Sequence, residues 1–350
     1  MTSVVNEDIK NIVGGVDFSE LEGRTILISG AAGFLGSFFI AVFQHLNQQV
    51  FKVPCRVLAI DNFITGSKKN LLVNIVDKNI IYKVFDISKG LGSFEKENID
   101  FIIHAAGLAS PIYYRQYPID SINCTVLGLH HLMNYAIQNP IKSFFFFSSS
   151  EIYGNPRDED VPMKETYNGN VSCTGPRSCY DEAKRLGETM CVSYHKIHNI
   201  PVKWVRPFNV YGPGMRITDD RVVPKFLFQA LKSEPLTVHL PGLQTRTFTY
   251  VTDAMIGFFK VLFEGKNGEV YNIGRDTGEI RMEDLADKVS GLFQKKLKVL
   301  KIEMPQEYPA DQAQRRLPDI TKAREHFGFE PTVSIEEGLK RMLEWCKTQV

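Results

Sequence analysis

The chain has 350 residues, 43% of them hydrophobic and 23% charged, with a formal net charge of +1. That length can bury a full core and predicts one large domain with a smaller companion. The balanced charge excludes the strongly basic or acidic surfaces that recruit nucleic acid or anionic membranes.

Residues 1–22 read as an N-terminal extension of uncertain order. MTSVVNEDIK has no basic segment ahead of an apolar run, so no signal peptide is expected. From there, short apolar runs alternate with amphipathic stretches. Thr25–Ser29, Arg56–Ile60, Ile80–Phe85, Asp100–His104, Ser143–Phe147 and Val202–Val205 predict buried parallel strands. Phe34–Leu46, Val126–Gln138 and Asp181–His198 predict helices between them, with Asn47–Cys55 a local insertion. This alternation predicts an α/β fold, a Rossmann-type doubly wound parallel sheet. Beyond Tyr211 the rhythm changes: Pro and Gly punctuate the chain, and the shorter strands Thr247–Val251 and Glu269–Ile273 interrupt helices. The densest apolar stretch, Phe144–Phe147, is far too short to span a bilayer. Six cysteines (Cys55, Cys124, Cys173, Cys179, Cys191, Cys346) show no CxxC spacing, and no His, Cys or carboxylate group has metal-ligand spacing. A cytoplasmic protein with reduced thiols and no metal is expected.

The first strand runs into Gly30-Ala-Ala-Gly33-Phe-Leu-Gly36 and then an apolar helix. Glycines are needed where the chain turns sharply, where backbone approaches a pyrophosphate and where helix meets strand. The helix start, with Phe34 and Leu35, offers free N–H groups and a positive dipole to phosphates. Asp61 ends the second strand, where a carboxylate accepts hydrogen bonds from ribose hydroxyls and repels a 2′-phosphate, so NAD is favoured over NADP. Asp86, closing the third strand, is placed to meet the adenine edge; Asn62, Ile87 and Ala105, beside the same strand ends, complete the candidate cofactor set. The expected division is an NAD-binding domain over 23–210, with 245–265 returning to it. A smaller mixed α/β C-terminal domain, holding the substrate, takes 211–244 and 266–350.

The fifth strand empties into Ser148-Ser-Ser-Glu151-Ile-Tyr-Gly154, polar residues at the strand end where open α/β sheets bind ligands. Tyr180 precedes Lys184 by four residues, which places both on one helical face. Oxidising a hydroxyl requires loss of its proton while a hydride leaves, and a phenol of ordinary pKa is a poor base at neutral pH. A nearby ammonium lowers that pKa, and Ser149 is placed to hold the reacting oxygen.

The glycine turn, the serine run and YxxxK together resemble the extended short-chain dehydrogenase/reductases, over about residue 23 to the C-terminus. Within that superfamily, DNFITG (61–66), SSSEIYG (148–154), GPRSCYDEAKR (175–185), DDRVVPKF (219–226), QTRTFTYV (244–251) and RRLPDI (315–320) resemble the UDP-glucuronate decarboxylases. The resemblance implies Ser149, Tyr180 and Lys184 as the catalytic triad, with Tyr180 and Lys184 also touching the cofactor. It implies Ser150, Glu151 and Arg316 as the groups that decide the sugar chemistry, and Ser110, Asn209, Arg221 and Arg246 as nucleotide-sugar contacts, planar guanidinium forks suiting phosphate oxygens. It also implies a homodimer through a four-helix bundle of Val126–Gln138 and Asp181–His198, although periodicity alone equally fits burial within a monomer.

Related enzymes share oxidation at C4 and differ in the fate of the 4-keto sugar. A 4,6-dehydratase uses an acid where this chain has Ser150, and a 4-epimerase needs no carboxylate at Glu151. A decarboxylase needs an enolate stabilised at C4 and a cation for the C6 carboxylate, roles that Tyr180, Ser149 and Arg316 fit. Two departures from the decarboxylase pattern, Ser172-Cys173-Thr174 and Arg316-Leu317-Pro318, keep open a dehydratase or epimerase acting on a UDP-, GDP- or dTDP-sugar. A non-catalytic NAD(P)-binding sensor or scaffold is the remaining alternative; retention of every polar member argues against it.

Overall fold

The computed structural model describes residues 2–65, 72, 74–303 and 313–349, so Gly66 at the end of DNFITG lies outside the described residues. The first element is helix α1 (Ser3–Gly14), capped by the Thr2 hydroxyl. Val5, Ile9 and Ile12 form a one-sided apolar stripe that is fully buried against α2 (Phe34–Gln49) and α7 (Val251–Glu264). The expected extension of uncertain order is therefore corrected: this segment is packed into the body. Its Asp8, also fully buried, accepts hydrogen bonds from the Tyr250 and Thr252 hydroxyls at 2.9 Å and from Arg341 Nη2 at 2.8 Å.

The six predicted strands form β1 (Thr25–Ser29), β2 (Arg56–Asp61), β3 (Ile80–Val84), β4 (Phe101–His104), β5 (Ser143–Phe147) and β6 (Val202–Pro207). Shorter strands follow: β7 (Val210–Tyr211), β8 (Leu236–His239), β9 (Thr245–Arg246), β10 (Thr249–Tyr250), β11 (Val270–Ile273), β12 (Ile280–Arg281), β13 (Val299–Ile302) and β14 (Arg315–Arg316). The other helices are α3 (Pro111–Gln116), α4 (Pro118–Gln138), α5 (Ser178–His198), α6 (Val222–Leu231), α8 (Met282–Ser290), α9 (Thr321–Phe327) and α10 (Ile335–Cys346).

The central sheet has seven parallel strands in the order β11-β6-β5-β4-β1-β2-β3. The direction of winding reverses between β1 and β4, and a ligand crevice opens at such a point, outside the C-terminal strand ends. Side chains of β1 alternate between the two faces. Ile26 and Ile28 join the core beneath α2 and α7, while Leu27 joins the core with Leu129, Leu132, Met133 and Cys191 of α4 and α5.

Three sequence expectations change here. Glu269–Ile273, read among the short strands of the second domain, supplies β11, which pairs with β6 and closes the large sheet. Of Thr247–Val251 only Thr249–Tyr250 is a strand, because Val251 already opens α7, which packs on β5 and β6. α4 begins at Pro118, well before the expected Val126; proline is tolerated there because the first helical N–H has no partner within the helix. Among the described residues no helix is long and apolar enough to cross a membrane.

Candidate active site

The cofactor cradle follows from two glycines that nothing else can replace. At Gly30 φ is +76°, and an added Cβ would lie 2.6 Å from the Ala105 carbonyl oxygen. At Gly36 a Cβ would come within 2.0 Å of the Gly30 carbonyl oxygen, so α2 can pack this tightly on the turn only without a side chain. Gly33 is the N-cap of α2, and Phe34, Leu35 and Gly36 line the cavity above it, with the helix's first N–H groups outside the intrahelical ladder.

Asp61, at the end of β2, accepts hydrogen bonds from the Ala32 and Phe63 amides, both at 2.8 Å. Burial raises its carboxyl and these two bonds oppose the rise. Asn62 accepts the Ile64 amide at 3.1 Å. Asp61, Asn62, Ile87 and Ala105 line one adjoining pocket together with Gly30 and Gly33. Asp86 does not line it; its carboxylate turns to the Ser88 amide and hydroxyl at 3.0 and 2.8 Å. This glycine cradle with a carboxylate at the ribose position fits NAD.

β5 leads into the candidate catalytic residues. After Phe147 the chain makes a 3-10 turn over Ser150–Tyr153, and the Ser149 hydroxyl caps it by accepting the Glu151 amide at 3.2 Å. Tyr180 and Lys184, both buried on α5, face this turn. The Lys184 ammonium donates to the Phe147 carbonyl at 2.7 Å, and burial pulls it down to about 8. Burial pushes the Tyr180 phenol up to about 12, with a hydrogen bond from Ser149 opposing the shift. The lysine expected to lower the phenol is thus anchored to backbone, its Nζ 5.8 Å from the Tyr180 ring centre. Tyr114 of α3 stacks on Tyr180, with centroids 5.5 Å apart and planes 18° apart.

Beside Tyr180 lies a cluster of ions. Arg316 of β14 grips Glu151 with both Nη groups, the Nη2 bond measuring 2.7 Å, and Arg177 donates to the same carboxylate. β14 is brought there by pairing in parallel with β9, which sets Arg316 opposite Arg246. Burial opposes ionisation of Glu151, but Arg177 and Arg316 outweigh it and hold the carboxyl at about 2. Arg246 donates to the carbonyls of Thr245 (2.7 Å), Gln314 (3.1 Å) and Ala313 (2.5 Å). Burial and the facing Arg316 pull Arg246 down to about 9. Asp181 accepts from Arg177 Nε at 3.3 Å; burial and the nearby Glu151 push its carboxyl up to about 7.

The structure therefore brings Ser110, Ser149, Ser150, Glu151, Tyr180, Lys184, Asn209 and Arg221 to one cavity with the glycine turn. Glu151, Asn209 and Arg221 also line a second cavity, shared with Arg246 and Arg316. Asn209 ties this wall together by donating to the Thr247 carbonyl at 2.9 Å. Arg221, expected on a diphosphate, is forked onto Asp219 at 3.0 and 2.8 Å. Sequence reasoning missed Arg177, Asp181, Tyr114 and Asp219. The four-residue spacing of Arg177 and Asp181 on α5 was a legible signal of a local ion pair; their link to Glu151 was not.

Comparison with known proteins agrees with this geometry. The family described as NAD dependent epimerase/dehydratase matches residues 26–274. UDP-glucuronic acid decarboxylase 5 of Arabidopsis thaliana is 40% identical over 319 residues, 91% of this chain and 88% of the relative. UDP-glucuronic acid decarboxylase 1 of Danio rerio is 35% identical over 332 residues, 95% of this chain and 75% of the relative. The crystal structure of UDP-glucuronic acid 4-epimerase from Bacillus cereus, in complex with UDP-glucuronic acid and NAD, superposes with a TM-score of 0.77 at 27% identity, covering 93% of this chain and 100% of that one.

Proposed function

The chain belongs to the NAD dependent epimerase/dehydratase family, and on that premise we propose that it converts UDP-glucuronate to UDP-xylose and CO2. The observation that carries this reading is Arg316. It lines the cavity, its Nη groups hold Glu151, and its buried Nε–H has no hydrogen-bond partner among the described residues. A guanidinium with one edge unused takes a second carboxylate side-on, and a uronate supplies one. The names of the plant and fish relatives support the same substrate.

The glycine turn and Asp61 would hold NAD, which when bound would supply hydride acceptance at the sugar C4 and its later return. Tyr180 Oη takes the proton of the C4 hydroxyl, and the Ser149 hydroxyl keeps that oxygen in line. The C4 ketone makes the C6 carboxylate that of a β-keto acid. As the C5–C6 bond breaks, its electron pair moves to the C4 oxygen, where Tyr180 and Ser149 donate hydrogen bonds to the enolate. Arg316 orients the departing carboxylate, a water ordered by Glu151 supplies the proton to C5, and Tyr180 returns its proton to the C4 oxygen as the hydride comes back. Arg177 and Arg316 keep Glu151 ionised, without a proton to give near neutral pH, and Ser150 is a hydroxyl, so neither suits protonation of a leaving C6 hydroxyl as a dehydratase requires.

The deciding experiment incubates the protein with UDP-glucuronate and NAD and monitors products by NMR. UDP-xylose with CO2 is expected; the C4 epimer with the carboxylate retained, or a 4-keto-6-deoxy product from a UDP-, GDP- or dTDP-hexose, would replace this reading. A homodimer belongs to the same proposal. α4 and α5 pack side by side and expose Ile119, Ile122, Leu127, Ile137, Leu186 and Ile197, an apolar face suited to a second copy. A cytoplasmic location is proposed with it, on the ground that all six cysteines are free.

A further inference from the structure

Arg177 has a place in the site that substrate binding alone does not explain. It is buried, and its backbone carbonyl opens α5 by accepting the Tyr180 and Asp181 amides at 2.9 and 3.0 Å. Its side chain spans two carboxylates: Nη2 donates to Glu151 Oε2, and Nε donates to Asp181 Oδ2 at 3.3 Å. Arg316 reaches Glu151 from the other side. The groups facing this point are Arg177, Tyr180 and Asp181 on α5, Arg316 on β14, Arg246 on β9 and Tyr114 on α3. Arg246 is committed to backbone carbonyls, so only Arg177 and Arg316 hydrogen-bond to the Glu151 carboxylate among the described residues.

A substrate carboxylate on the Nε edge of Arg316 shares its Nη2 group with Glu151 and so weakens the grip of Arg316 on Glu151. A carboxylate left in a desolvated pocket without a cation takes up a proton. We propose that Arg177, fixed by Asp181, is the positioning residue that keeps Glu151 a carboxylate and in place while Arg316 turns to the substrate. The inference rests on the decarboxylase reading, because only a substrate that brings its own carboxylate competes for Arg316. Asp181 keeps Arg177 extended toward the turn after β5, and its Oδ1, buried without a partner, shows that it serves Arg177 alone among the described groups.

The test compares the parent with Arg177→Met and Arg177→Lys, measuring kcat and KM for UDP-glucuronate across pH, together with NAD binding and the melting midpoint. In Arg177→Met, kcat is expected to fall at least tenfold, with a new acid limb between about pH 3 and 5 added to the parent's own pH dependence, as the Glu151 carboxyl rises from about 2 by the roughly 1–3 units typical on losing a close cation. KM is expected to stay within about threefold, because the Arg177 side chain is committed to the Glu151 and Asp181 carboxylates. Arg177→Lys keeps the charge but cannot span both carboxylates, so its limb is expected to lie between the two. A tenfold rise in KM without a new limb would assign Arg177 to the substrate instead, and unchanged kinetics would remove it from the mechanism. If Arg177→Met does not fold, the limb in Arg177→Lys decides. A parent that releases no CO2 from UDP-glucuronate overturns both readings together; a parent that does, beside a variant with no new limb, overturns only the role of Arg177.

Discussion

Arg316 and Glu151 stand 165 residues apart in the chain and meet as a two-bonded guanidinium–carboxylate pair. The pair joins the turn after β5, where the oxidation chemistry is proposed, to the short β14, which carries the cation. Replacing Arg316 with Ala removes the cation for the substrate carboxylate and leaves Glu151 to Arg177. CO2 release is expected to fall by about 10²–10³, the order seen on losing one preorganised charge-stabilising group. Quantifying CO2 from labelled UDP-glucuronate checks this; parent-like release would remove Arg316 from the chemistry.

Tyr180→Phe is expected to lower turnover by about 10²–10⁴, the usual contribution of a positioned acid–base group, while NAD binding by calorimetry stays near the parent value. Because burial holds the phenol up at about 12, the ionised base is scarce at neutrality and the parent's rate should climb with pH through the neutral range. A flat pH profile, or a phenylalanine variant that turns over normally, would exclude the phenol as base.

Glu151 and Asp181 predict opposite effects of pH on stability. Glu151 titrates at about 2, below the ordinary carboxylate range, so its contribution is present above that range and is lost as pH falls through it toward 2. Asp181 is raised to about 7, so its contribution is present below its ordinary value and is lost as pH rises toward 7. Thermal midpoints of the parent should therefore decline between about pH 4 and 7, over the window set by Asp181. Asp181→Asn, which stays neutral, should flatten that decline, and an unaltered slope in the variant would contradict the assignment.

Asp8 tests the packing of α1. It is a fully buried carboxylate whose partners Tyr250, Thr252 and Arg341 lie 242, 244 and 333 residues further along the chain. Removing one partner of a buried ion pair typically costs about 3–5 kcal/mol. Asp8→Ala should lower stability by that order in a denaturant titration; a change below about 0.5 kcal/mol, the range of an ordinary surface substitution, would mean that α1 is not anchored there.

Leu186→Glu places a charge on the exposed face of α5, where Leu186 is 47% accessible. The parent is expected to sediment as a dimer and the variant as a monomer with its thermal midpoint nearly unchanged. A parent that sediments as a monomer would reject the proposed interface.

The amino-acid sequence by itself determined what depends on near neighbours. Apolar runs such as Thr25–Ser29 and Ser143–Phe147 specify buried strands, and Gly30, Gly33 and Gly36 specify the turn into α2. Tyr180 and Lys184 share a helical face because they are one turn apart. These signals have short range, so the Rossmann-type sheet, the family and NAD were all legible in them. Only the tertiary structure decided what depends on distant pairing. A strand carries no mark of its partner, so neither β11 at the sheet edge nor β14 beside β9 was visible beforehand. The same limit hid the anchoring of α1, because Asp8 looks like any surface acid until Arg341 and Tyr250 surround it. It also hid the role of Arg177: its neighbour Asp181 was in plain view, but Glu151 becomes its partner only when the turn after β5 folds against α5.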